Sequence, residues 1–207
     1  MKRVLSAAIV AFALGLLPAG AADGLSDKDR DDLDRVSIYL NGIKTLTGKF
    51  SQVTNDGAFS AGTFYLRKPG RLRFEYEPPV PVTIVSDGIT VAITNSELET
   101  QDRYPLVSTP LSLLLEDDVN LRENDNIVAV ARTPGQLAIT ARETDGPAEG
   151  EITLYFSDPG LELRHWVLTD AEGTTVTVAV SELKKDIDLK ADLFVIRELV
   201  DPAKEAQ

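Results

Sequence analysis

At 207 residues, with 33 acidic against 21 basic side chains and a net charge of −12, the chain carries the wrong sign for nucleic acid and for electrostatic docking to anionic lipid. It has no cysteine, which removes disulfides, thiolate catalysis, cysteine-based zinc sites and a lipid-modified cysteine of its own. An exported chain of this kind has to be stable on its hydrophobic core alone.

Residues 1–22 read as a secretory signal peptide. Lys2 and Arg3 form a positive start, residues 4–17 an apolar run too short for a membrane span, and Pro18-Ala19-Gly20-Ala21-Ala22 offers cleavage after Ala21 or Ala22. The remainder, 23–207, is long enough to bury one core as a single domain.

Residues 26–44 predict one amphipathic helix. Ser26 is placed to cap it with Asp29 three residues on, and Leu33, Val36, Leu40 and Ile43 form one apolar stripe. From Leu46 to Asn95 the pattern is that of short strands. Turn signals cut it at Asn55-Asp56-Gly57, Lys68-Pro69-Gly70, Pro78-Pro79 and Asp87-Gly88. Leu72, Phe74 and Tyr76 alternate with Arg71, Arg73, Glu75 and Glu77, so one face is apolar and the charged one is expected to face water. A second short helix is expected at 109–116, capped by Ser108 or Thr109 with Pro110 in the first helical position. Strands resume at 127–132, 136–143, 151–157, 161–169 and 174–182. A tail at 187–199 carries the apolar cluster Leu193, Phe194, Val195 and Ile196.

Little in this pattern suggests catalysis. The one histidine, His165, lies in a strand beside Trp166 and facing away from it, the ordinary place of a packing or surface residue. Glu75 and Glu77 would stand about 7 Å apart on one strand face, where a solvated pair beside Arg71 and Arg73 is the simpler reading than a glycosidase pair. Asp186, Asp188 and Asp192, and Glu123-Asn124-Asp125, lack the glycine and terminal glutamate of a calcium loop. No enzyme activity, metal or cofactor is expected.

The apolar face is the remaining candidate. Phe50, Phe64, Leu66, Leu72, Phe74 and Tyr76 line one side of consecutive strands, and Leu111 and Leu114 lie in the leucine-rich turn. By periodicity alone this is the pattern of an ordinary core; what favours a cavity for an apolar ligand is that a sheet of about ten or eleven strands has so little helix to cover it.

The same residues carry a resemblance. Phe50 and Gln52, then Gly62, Phe64, Leu66, Lys68-Pro69-Gly70-Arg71, Arg73-Phe74 and Tyr76, then Val85-Ser86-Asp87-Gly88, resemble the periplasmic outer-membrane lipoprotein carriers of the LolA type. The resemblance implies a mainly β fold, an incomplete and strongly curved antiparallel barrel with a helical lid over its concave apolar face. It implies a monomeric periplasmic carrier that holds lipoprotein acyl chains and touches membranes only transiently. Such a carrier takes its cargo from an inner-membrane ABC transporter and delivers it to an outer-membrane acceptor, where one exists. It also implies that the basic residue before the proline latches the lid. This is usually arginine; here it is Lys68, with Arg67 as the alternative. The competing reading is a lipid- or glycolipid-binding regulatory module on the same fold, for which a second domain would be expected.

Overall fold

The computed structural model describes residues 24–144 and 149–199; the expected signal segment lies outside them. The first element, α1 (Asp27–Asn41), starts where the sequence predicts. The Ser26 hydroxyl accepts from the Asp29 amide (3.2 Å) while the Asp29 carboxylate accepts from the Ser26 amide (2.8 Å), so each side chain satisfies a free donor of the first turn.

Eleven strands follow: β1 (Thr45–Thr54), β2 (Phe59–Arg67), β3 (Arg71–Tyr76), β4 (Val82–Asp87), β5 (Thr90–Asn95), β6 (Thr100–Pro105), β7 (Ile127–Thr133), β8 (Gln136–Glu143), β9 (Gly150–Ser157), β10 (Leu163–Asp170) and β11 (Thr175–Lys185). They form one antiparallel sheet in the order β6-β5-β4-β3-β2-β1-β11-β10-β9-β8-β7. Hairpins build each half, and the long-range pair β1–β11 joins the halves, with Phe50 opposite Val180. β6 and β7 do not pair, so the barrel is incomplete, as the family resemblance implies.

The two-residue period places the core. Leu66 stands opposite Leu72 and Phe64 opposite Phe74. These side chains form one buried cluster with Leu137, Ile139, Leu154, Phe156 and Val178 from the other half, with Leu33, Val36 and Leu40 of α1, and with Ile43 just after it. α1 therefore covers the inner face.

Ions pin the start of α1 to the far half of the sheet. The buried Asp32 carboxylate accepts from Arg35 Nη1 (2.5 Å) and from Arg132 Nε on β7 (2.5 Å). Arg132 also donates to Asp29 (2.7 Å), and Arg35 to Asp158 in the β9–β10 turn (2.9 Å). The Ser26 and Arg132 hydrogen bonds lower the Asp29 pKa to about 2. The contribution of Asp29 is therefore present above the usual carboxylate range and lost only as pH falls through about 2. Asp32→Ala takes one of two carboxylate partners from each of two partly hydrated guanidinium groups, and it should lower the unfolding free energy by about 2 kcal/mol in urea titrations.

Three local expectations need correction. The helix expected at 109–116 is a 3-10 turn at Leu106–Ser108 and then one helical turn, α2 (Ser112–Leu115). Thr109 caps nothing downstream because its hydroxyl donates backward to the Leu106 carbonyl (2.8 Å). β6 is a strand the sequence does not announce. Nearly every side chain of Thr100–Pro105 is exposed, so an edge strand wet on both faces has no alternation to read. Arg73 does not face open water. The tail turn Ala191–Phe194 packs on β3 and β4, burying Phe194, and Arg73 Nη1 donates to the Leu193 carbonyl (3.3 Å).

Candidate functional site

The site is built from one corner of the sheet. The β2–β3 turn ends at Gly70, whose φ of +72° suits glycine, and a Cβ there would stand 2.7 Å from the Gly88 Cα. Ser86 Oγ donates to the Gly70 carbonyl (2.7 Å), and the Asp87 carboxylate accepts from the Ile89 and Thr90 amides (2.9 Å each). The Lys-Pro-Gly and Val-Ser-Asp-Gly stretches thus pack as a single knot.

This knot touches both covering helices. Lys68 Nζ donates to the Leu40 carbonyl in the last turn of α1 (3.1 Å), and the Gly70 amide donates to the Leu115 carbonyl at the end of α2 (2.9 Å). α1 has no basic residue in its last turn, so Lys68 supplies the positive charge that a helix C-terminus favours. The Lys68 side chain is buried, and burial pushes its ammonium down to about 8; Lys44 acts in the same direction, against Glu116 and Asp117. Arg67 points to the other face of β2, its Nη1 3.4 Å from the Leu189 carbonyl of the tail. A second set of bonds ties α1 to the loop after α2: Asn41 exchanges hydrogen bonds with the Val119 backbone (2.8 and 2.9 Å), and Ser37 Oγ accepts from the Leu121 amide (3.0 Å).

Beneath these helices lies an apolar pocket. Of the residues singled out in the sequence, Phe64, Leu66, Leu72, Phe74, Leu111 and Leu114 line it, and Lys68 stands in its wall. Phe50 and Tyr76 do not. Phe50 lies over Gly62, where a Cβ would come within 2.6 Å of its ring, and makes edge contacts with Phe74 and Tyr76 (4.8 and 4.9 Å between centroids). Tyr76 donates to Gln52 Oε1 (2.7 Å), so Phe50, Gln52, Gly62 and Tyr76 support the wall from behind. The pocket also has walls that the sequence did not disclose: Leu40 from α1, Ile43 from the connection to β1, Leu115 from α2, and Leu46, Leu163, Trp166 and Val180 from strands. Its free volume is only about 30 Å³, a tenth of the smallest ordinary ligand pockets, roughly 300 Å³. The helices are shut on it.

One polar atom in this wall lacks a partner. Trp166 is 4% exposed, and its indole N–H is buried without an acceptor, an arrangement that costs about 1–3 kcal/mol. The groups weighed for chemistry are engaged elsewhere. Glu75 pairs with Arg73 (2.6 Å) and Glu77 with Lys49 (3.1 Å). His165 stacks on Tyr155 (4.1 Å) on the opposite face from Trp166, and burial lowers its pKa. Among the described residues no three His, Asp or Glu side chains converge as metal ligands, and no helix is long and apolar enough to cross a membrane.

An open antiparallel sheet curved around an apolar pocket and shut by helices defines a class of half-barrels with a helical cover. Within it, the chain belongs to the outer membrane lipoprotein carrier protein LolA family, whose model matches residues 41–197. It is 28% identical over 203 residues to an outer-membrane lipoprotein carrier protein of Dechloromonas aromatica, covering 94% of this chain and 91% of that one. A carrier protein of Nitrosomonas europaea is 31% identical over 173 residues, covering 77% and 81%. Among solved structures, a LolA superfamily protein of Nitrosomonas europaea aligns over 79% of this chain and 97% of its own, with 8% identity and a TM-score of 0.43.

Proposed function

We propose that this protein is a periplasmic carrier, not an enzyme, that encloses the acyl chains of lipoproteins and shuttles them from the inner to the outer membrane as a monomer. The observation that carries this reading is the pocket: lined by apolar side chains apart from Lys68, almost filled when empty of ligand, and shut by two helices whose ends rest on one corner of the sheet. Each exposed methylene of an acyl chain costs about 0.8 kcal/mol, so a long chain needs a shield to cross water. A pocket that collapses when empty avoids standing open as a wet apolar hole. It also weakens net binding by the cost of opening, which favours release to an acceptor. In this reading the Gly70 amide holds the cover, Lys68 meets it at the Leu40 carbonyl with a charge whose burial keeps the cover from closing too tightly, and Phe64, Leu66, Leu72, Phe74, Leu111 and Leu114 take the chains. An inner-membrane ABC transporter supplies the cargo.

Native mass spectrometry of the processed protein with a triacylated lipopeptide, a phospholipid and a free glycolipid tests this. A one-to-one complex with the lipopeptide, together with its release from inner-membrane vesicles on addition of the protein, is the expected result. Binding of glycolipid alone would move the assignment to a lipid-sensing module.

A further inference from the structure

A carrier that held only hydrocarbon would need no polar atom in its pocket. Two of the residues that line this pocket carry polar groups. Lys68 is engaged with the Leu40 carbonyl, and the indole N–H of Trp166 has no acceptor. Phenylalanine at this position would fill much of the same space without a donor to satisfy. Trp166 is fixed mid-sheet, between Leu154 of β9 and Val178 of β11, and its ring packs at 6.4 Å against Phe74. The donor therefore sits on rigid strands and not on the cover, where it stays in place when the helices move. With no protein acceptor in the closed form, the missing partner is an oxygen that arrives with the ligand.

We propose that the Trp166 indole N–H donates to a carbonyl oxygen of the bound lipid, so that the pocket recognises the linkage of an acyl chain as well as its hydrocarbon. This rests on the carrier reading above. The ligand class is then chains joined through an ester or amide carbonyl. Alkyl ethers of the same length fill the same volume but leave the donor bare.

The test compares two synthetic lipopeptides with free amino termini, one with two ester-linked palmitoyl chains and one with the corresponding ether-linked chains. Each displaces a fluorescent apolar probe from wild type and from Trp166→Phe. Wild type should prefer the ester by about three- to tenfold, the value of one hydrogen bond in a dry site. Trp166→Phe should bind both equally. The chain has one tryptophan, so a single indole signal is expected in a proton–nitrogen correlation spectrum. That signal should move downfield with the ester and not with the ether, a readout in wild type that does not depend on the variant folding. Equal affinity of wild type for both lipids, or a preference that survives in Trp166→Phe, would overturn the inference and leave the carrier reading intact. Failure of both lipids to displace the probe would overturn the two together.

Discussion

Lys68→Leu should make the protein more stable at neutral pH and harder to load. Burial holds the Lys68 ammonium at about 8 against its ordinary 10.5. At roughly 1.36 kcal/mol per unit, the charged form costs the closed structure about 3 kcal/mol relative to the neutral amine. Leucine removes that cost and fills similar space, while the Leu40 carbonyl loses a charge-assisted bond worth about 2 kcal/mol. The net gain is about 1 kcal/mol, or about 3 °C in melting temperature. A cover stabilised this much opens some fivefold less often, and lipopeptide loading should slow accordingly. The pH dependence has a defined sign. Between about 8 and 10.5 the unfolded chain holds a proton that the folded chain has released, so wild-type stability rises with pH through this window and the contribution is lost as pH falls through 8. Tyr39 and Tyr76, whose pKa values burial raises, act in the opposite sense above 10, so urea titrations between pH 8 and 10 read the effect cleanly. Lys68→Leu should lack this rise. A drop in its melting temperature at pH 7 would show that the ammonium bond outweighs its burial.

Phe74→Ala should have the largest effect on the fold. The ring lies where three others meet: Phe50 at 4.8 Å, Phe64 at 5.9 Å and Trp166 at 6.4 Å. β3 is hydrogen-bonded on both sides, to β2 and β4, so its backbone cannot move in to fill the space. The loss should be about 3–5 kcal/mol, measured by denaturation. The vacancy opens into the ligand pocket, so saturating triacylated lipopeptide should restore part of the lost stability. A loss below about 1 kcal/mol would mean that the cover relaxes into the hole and that the pocket is not a fixed feature of the sheet.

Most of the strands were legible because each half of the sheet is made of hairpins. Alternation in residues such as Leu72, Phe74 and Tyr76, broken by glycine and proline turns, specifies both a strand and its inner face. The capping of α1 was legible for the same local reason. What failed depended on distance or exposure. Leu163, Trp166 and Val180 enter the pocket only because β11 crosses to β1, a pairing with no local signal. The contact of Asp32 with Arg132 spans 100 residues. Phe50 and Tyr76 share the right face but lie behind Phe74, since alternation gives the side of a sheet and not the depth within it. Lys68 was singled out by the family resemblance and not by the local pattern, which shows only a hairpin residue; its reach to the last turn of α1 depends on how the helix crosses the sheet.

The missing β6–β7 pair has a mechanical consequence. A closed barrel has its radius fixed by strand number and stagger, so widening it means tearing a ladder. This sheet has two free margins, and the connection between them is the stretch from Leu106 to Asn126 that carries α2. It can flatten or coil by spreading a small change of twist over ten strand pairs with every ladder bond kept. The wall then behaves as a leaf spring, and the peptide bearing α2 acts as the strap across its ends. On the carrier reading proposed above, loading would spread the sheet and lift the strap, and elastic recoil would bring them back. The 30 Å³ seen here marks the resting position of that spring rather than its capacity.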